Sequence, residues 1–98
     1  MSLFLQQLFN IKGQVAAVTG GGGYLCSEMA FGLAKAGCHV VVMDLRGHKA
    51  ERVARQITEE TGVEALSIEV DASDKQSIEH GLNQALIQFG SVDILING

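Results

Sequence analysis

The 98-residue sequence predicts an α/β fold, a doubly wound parallel sheet built in βαβαβαβ order. One observation is a hydrophobic pattern that switches period repeatedly, with four apolar runs alternating with three segments of helical spacing. A second is that the runs VAAV, VVVM and ILI are apolar without alternation, as parallel strands covered by helices on both faces require. A third is that no Pro-rich or Ser-rich linker, repeat or low-complexity tract divides the chain. The alternation therefore belongs to one cooperative unit, and right-handed crossovers wind it into a single sheet.

The elements follow in order. The opening MSLFLQQLF has an apolar run far short of the roughly 20 residues of a spanning helix, so residues 1–10 are expected to form an arm or short helix on the domain. QVAAVTG supplies the first strand. Leu25, Met29, Leu33 and Ala36 recur at helical intervals and predict the core-facing stripe of the first helix. HVVVMD is the second strand, and Ala50, Val53, Ala54 and Ile57 mark the buried face of the second helix. EALSIEVD is the third strand, and the third helix carries Ile78, Leu82, Ala85, Leu86 and Phe89 on one stripe. Ser73 followed three places on by Gln76 has the form of a capping box for that helix. Gly37, Gly62 and Gly90 stand where helix-terminating glycines belong. VDILING is the fourth strand. Ending there, VDILI would be a bare hydrophobic edge, which natural sheets avoid. The sequence is accordingly expected to be the N-terminal portion of a single larger domain, cut after its fourth strand.

Composition removes several functions. A formal net charge of -4, with seven scattered Lys and Arg, is unsuited to neutralising a phosphate backbone, so nucleic acid is not an expected partner. Membrane insertion is not expected either. Cys26 and Cys38 form no CxxC pair and no zinc spacing, and no signal peptide is evident, which favours a reduced, cytoplasmic setting. His39, His48 and His80 share no ligand spacing and are not expected to bind metal. Glu59 and Glu60 read as a solvated helix end.

In a doubly wound sheet, ligands collect at the carboxyl ends of the strands. Here those ends carry Thr19-Gly20, Asp44, Asp71 and Asn97-Gly98. The turn after the first strand, VTGGGGYLC, must be weighed as a phosphate loop against a plain tight turn. Glycines let backbone N–H groups approach a pyrophosphate at a helix N-terminus. Yet a strict GxGxxG fails, because its last place falls on Leu25 or Cys26. Context favours the loop: it follows a strand, opens a helix, and precedes Asp44, which ends the second strand 24 residues after Gly20. A carboxylate there would accept the adenosine ribose hydroxyls and repel a 2'-phosphate, so NAD is expected over NADP. Arg46, two residues on, is the counter-signal, since a guanidinium could receive that phosphate. Asp71 reads either as an adenine contact or as the start of the third helix. Cys26 reads as packing in a glycine slot or as a thiol activated by the helix N-terminus. Tyr24 either covers the loop or points outward.

Together, IKGQVAAVTGGGG, AFGLAKAGCHVVVMD, Val70-Asp71 and SVDILING resemble the N-terminal half of a short-chain dehydrogenase/reductase. The resemblance runs from Ile11 onward and implies a Rossmann-type dinucleotide fold. That family's loop is T-G-x-x-x-G-x-G. Thr19 and Gly20 match it, whereas Tyr24 and Cys26 replace its second and third glycines. The GGGG form of the loop looks most like D-mannonate (fructuronate) oxidoreductase-like members. The resemblance implies a cofactor-binding set of Gly20, Gly22, Gly23, Tyr24, Leu25, Asp44, Leu45, Asp71, Ala72 and Asn97. Gly20, Gly23 and Leu25 would meet the phosphates and ribose, Asp44 the adenosine ribose, and Asp71 with Ala72 the adenine. Asn97 matches the first Asn of the family's N-N-A-G motif, and Gly98 departs from the second. The family's catalytic Asn, Ser, Tyr and Lys lie in its second half; Tyr24 is not that tyrosine, having no lysine four residues on. The expectation is the NAD-binding part of a homo-oligomeric oxidoreductase that moves hydride to or from a small-molecule carbonyl or alcohol, with a sugar acid or polyol as the substrate class the loop resemblance implies. The alternative is a noncatalytic module that senses NAD(H).

Overall fold

A computed structural model describes residues 10–98. The expected arm over residues 1–10 falls, apart from Asn10, outside the described residues. The elements are β1 (Val15–Thr19), α1 (Tyr24–Lys35), β2 (His39–Asp44), α2 (Gly47–Thr61), β3 (Ala65–Glu69), α3 (Lys75–Phe89) and β4 (Ile94–Ile96). All pairings are parallel, in the order β3-β2-β1-β4. Successive strands step outward from β1 to β3, and the chain then crosses to the far side of β1. The order of winding reverses between β1 and β4, which makes their carboxyl ends the switch point of the sheet.

Both faces of the central strands are apolar, as the non-alternating runs required. Val18, Val40 and Val42 face α1 and α2, meeting Ala30, Ala34, Ala50, Val53, Ala54 and Ile57. Val15, Ala17, Val41 and Met43 face the other way, toward Ala85 of α3, Ile68 of β3 and Val70 just after it. Gly81 lets α3 lie close to the sheet, because a Cβ there would stand 2.7 Å from Val70 Cγ2. Gly62 and Gly90 end α2 and α3 in the left-handed conformation, at φ 79° and 83°.

The structure corrects three expectations. In α1, Leu25 and Met29 are exposed, as is Ala36, and the buried residues are Ala30 and Ala34 with Cys26 packed beside them. Small residues spaced four apart take the centre of the inner face, Phe31 and the expected Leu33 pack beside them, and Leu25 and Met29 turn outward. Leu86 of α3 is likewise exposed, because Ala85 holds the inward position. The cap of α3 is Asp74 rather than Ser73: its side chain accepts from the Gln76 N–H at 3.0 Å. Ser73 instead turns back to Asp71, donating through its hydroxyl at 2.6 Å.

Candidate dinucleotide site

The carboxyl ends of β1, β2 and β3 open into a cleft of about 350 Å³. Of the residues expected at the site, Gly20, Asp44, Leu45, Asp71 and Ala72 line it together. Thr19, Met43, Arg46, Val70, Ser73 and Gly98 complete the wall. Gly22, Gly23, Tyr24, Leu25 and Asn97 lie outside that lining.

The loop owes its path to the glycines. Gly20 has φ 66°, a conformation side chains disfavour, and its carbonyl accepts from the Gly23 N–H at 3.0 Å to close the turn. Gly22 presses against α2 and β2, where a Cβ would stand 2.8 Å from Lys49 Cβ and 2.9 Å from Asp44 Oδ2. Gly23 is the N-cap of α1 and, having no side chain, offers no cap hydrogen bond. The first turn of α1 is thus left to whatever acceptor approaches it, with the positive end of the helix dipole behind it. Tyr24 and Leu25, on that turn, are 86% and 71% exposed. Tyr24 therefore points outward in this structure.

Asp44 is buried and held on both oxygens. Gly22 N–H donates to Oδ2 at 3.0 Å, while Arg46 donates to Oδ1 through its backbone N–H at 2.8 Å and through Nε at 3.2 Å. Burial alone would push this carboxyl up, but the Arg46 and Gly22 hydrogen bonds and the Arg46 charge outweigh it and hold the group below the ordinary carboxylate range. Asp44 is therefore an ionised acceptor fixed to the glycine loop, with the half-exposed Arg46 side chain clamped beside it.

Asp71 stands at the cleft and in the turn before α3, while Asp74 holds the capping position itself. Asp71 orders that turn by accepting from the Ser73 hydroxyl and from the Ser73 N–H at 2.9 Å. Those two bonds, the hydroxyl first, lower its pKa. Asn97 is exposed at the end of β4, its Oδ1 lying 3.3 Å from Thr19 Oγ1. Thr19, expected at a strand end, lines the cleft as well, and Ser73, read from the sequence only as a helix cap, is a lining residue that reading passed over. The signal for Ser73 was its place two residues after an Asp at a strand end, where Asp and Ser side chains commonly bond to nearby backbone. Among the described residues, no group of three or more His, Cys, Asp or Glu lies together as a metal site, and no helix is long and apolar enough to cross a membrane.

The donor set suits a dinucleotide: an uncapped helix start behind a glycine turn, and an ionised carboxylate at the next strand end tied to that turn through the Gly22 N–H. Comparison with known proteins agrees. The family model of the short chain dehydrogenases matches residues 14–98. An uncharacterized oxidoreductase of Bacillus subtilis, UxuB, is 40% identical over 89 residues, covering 91% of this chain and 32% of its own length. L-sorbose reductase of Gluconobacter frateurii, solved with NADPH and L-sorbose, superposes with a TM-score of 0.87 at 30% identity, covering 91% of this chain and 34% of its own. A candidate D-mannonate oxidoreductase of Haemophilus influenza, solved with bound NAD, gives 0.82 at 30% identity, covering 93% and 32%. This chain spans about a third of the length of these relatives. By sequence and by fold, the chain belongs to the short chain dehydrogenase family.

Proposed function

We propose that these residues form the dinucleotide-binding part of an NAD(P)-dependent oxidoreductase, with NAD preferred. The observation that carries this reading is the pairing of two features at one edge of the sheet: the uncapped start of α1 and the ionised Asp44 carboxylate tied to the same loop through the Gly22 N–H. The first-turn N–H groups would bind the pyrophosphate, while Asp44, with lone pairs to spare on both oxygens, would accept the adenosine ribose hydroxyls. Asp71 and Ala72 would border the adenine, and Asn97 would lie toward the nicotinamide. Leu45, 64% exposed beside the cleft, offers the adenosine an apolar surface. When bound, the cofactor supplies the hydride acceptor or donor.

Support for NAD over NADP comes from the Asp44 charge, which disfavours a third phosphate beside the ribose. Arg46 is the residue that tempers it, since its Nε already pairs with Asp44. The substrate we propose is a small carbonyl or alcohol of the sugar-acid or polyol class, in keeping with the L-sorbose reductase and the D-mannonate relative. By the family resemblance, the residues that bind it and move its proton would belong to the second half of the family's fold. A cytoplasmic setting is part of the same reading, in keeping with the two free thiols, and a homo-oligomeric enzyme is what the family resemblance implies.

Titration of the chain with NAD and NADP tests the assignment. Asp44→Ala is expected to weaken NAD binding about 10- to 100-fold, the loss of one or two hydrogen bonds to a charged group, and to narrow the preference over NADP. Equal affinities before and after the change would remove Asp44 from the site.

A further inference from the structure

We propose that Cys26 and Gly98 are a matched pair. The thiol fills the space that a side chain at position 98 would need, and the bare backbone at 98 lets the end of β4 settle onto α1 and β1. Cys26 stands in the first turn of α1, half-buried against the cluster that contains Val18 and Ile96. A Cβ built on Gly98 would overlap Cys26 Sγ outright and stand 2.6 Å from the Thr19 carbonyl oxygen, whereas Cys26 Cβ would be at an ordinary 3.5 Å. The sulfur, not the rest of the residue, is the obstruction on the helix side.

The seat has a further consequence. Gly98 N–H donates to Thr19 Oγ1 at 3.0 Å, and the Thr19 hydroxyl lies 3.3 Å from both the Ile96 carbonyl oxygen and Asn97 Oδ1. Residue 98 thereby orients the hydroxyl that meets the Asn97 carboxamide, and Cys26 is a positioning residue for the rim of the cleft. Positions 26 and 98 are also two of the places where the sequence departs from the loop and strand-end patterns quoted above. In space these departures face one another: the glycine missing from the loop is supplied across the sheet edge. The pairing does not depend on which ligand the cleft takes.

Alkylation by iodoacetamide, read separately at Cys26 and Cys38 by peptide mass spectrometry, tests it on the chain itself. Gly98→Ala is expected to expel the thiol, raising the rate at Cys26 about tenfold while the fully buried Cys38 keeps its wild-type rate. An unchanged rate at Cys26 overturns the pairing. Should Gly98→Ala also expose Cys38, the thermal midpoint decides. The drop it causes must be smaller in a Cys26→Ala background, where only the Thr19 contact remains, and an equal drop in both backgrounds overturns the proposal. The Asn97 carboxamide resonances give the readout of positioning: Cys26→Ala is expected to shift them in a nitrogen-proton correlation spectrum, and unmoved resonances remove the positioning role.

Discussion

Helices α1 and α3 both start where a strand ends, at the same edge of the sheet, and their first turns are treated in opposite ways. Before α3, Asp74 accepts the Gln76 N–H through its own carboxylate, so the helix start is already occupied by an anion. Before α1, the capping position is Gly23 and no side chain reaches the first turn. A capping acid stabilises a helix by about 1 kcal/mol. α1 forgoes that gain and keeps an anion-binding end available. The difference separates a helix start that serves folding from one suited to binding, although both use the same backbone geometry.

Exchanging the two treatments gives the largest expected effect. Gly23 has φ -80° and ψ 165°, an extended backbone, and a Cβ there would stand 3.3 Å from the Gly20 carbonyl oxygen, a contact a shift of a few tenths of an ångström relieves. Gly23→Asp should therefore cap α1 from within and repel a pyrophosphate. NADH affinity is expected to fall about 100-fold, as charged hydrogen bonds are lost, while the thermal midpoint holds or rises. Fluorescence titration and a melt on the same sample read both, and retained affinity would show that the first turn of α1 is not the phosphate site. The reverse change is smaller and falls on stability alone. Asp74→Ala should cost about 1 kcal/mol and lower the melting midpoint by roughly 4–8 °C, with NADH affinity unchanged. An affinity loss there would mean that the two helix starts are not functionally distinct.

The smallest effect is the pH dependence of the Asp44 tether between loop and β2. Its folded pKa is lowered, so its contribution is complete above the ordinary carboxylate pKa of about 4 and fades as pH falls from there through the folded value. In acid titrations of the melting midpoint, Asp44→Asn should lie below wild type at neutral pH and converge with it under acid. Parallel curves would mean that Asp44 is not held by the Arg46 and Gly22 bonds.

Much of this molecule could be read from the sequence, and the reasons differ by residue. The strands were legible because VAAV and VVVM leave no polar face, and α2 was legible because its stripe of Ala50, Val53, Ala54 and Ile57 is set by helical spacing alone. The stripe of α1 is legible only in part: spacing favours Leu25, Met29 and Leu33, and of these Leu33 packs against the core beside Cys26, Ala30, Phe31 and Ala34 while Leu25 and Met29 are exposed. The cap of α3 was misplaced by one residue, because Ser73 and Asp74 are both competent caps and the outcome rests on Asp71 engaging Ser73 first.

The sequence by itself determined the element order, the parallel sheet and the gathering of Gly20, Asp44 and Asp71 at one edge, because strand length and winding direction leave those ends nowhere else to go. The tertiary structure alone decided the contacts across that edge. The Gly22 N–H on Asp44 and the seat of Cys26 against Gly98 join residues more than twenty and more than seventy positions apart. No periodicity encodes such contacts; they arise only when β2 and β4 come to lie on either side of β1 and bring side chains into reach.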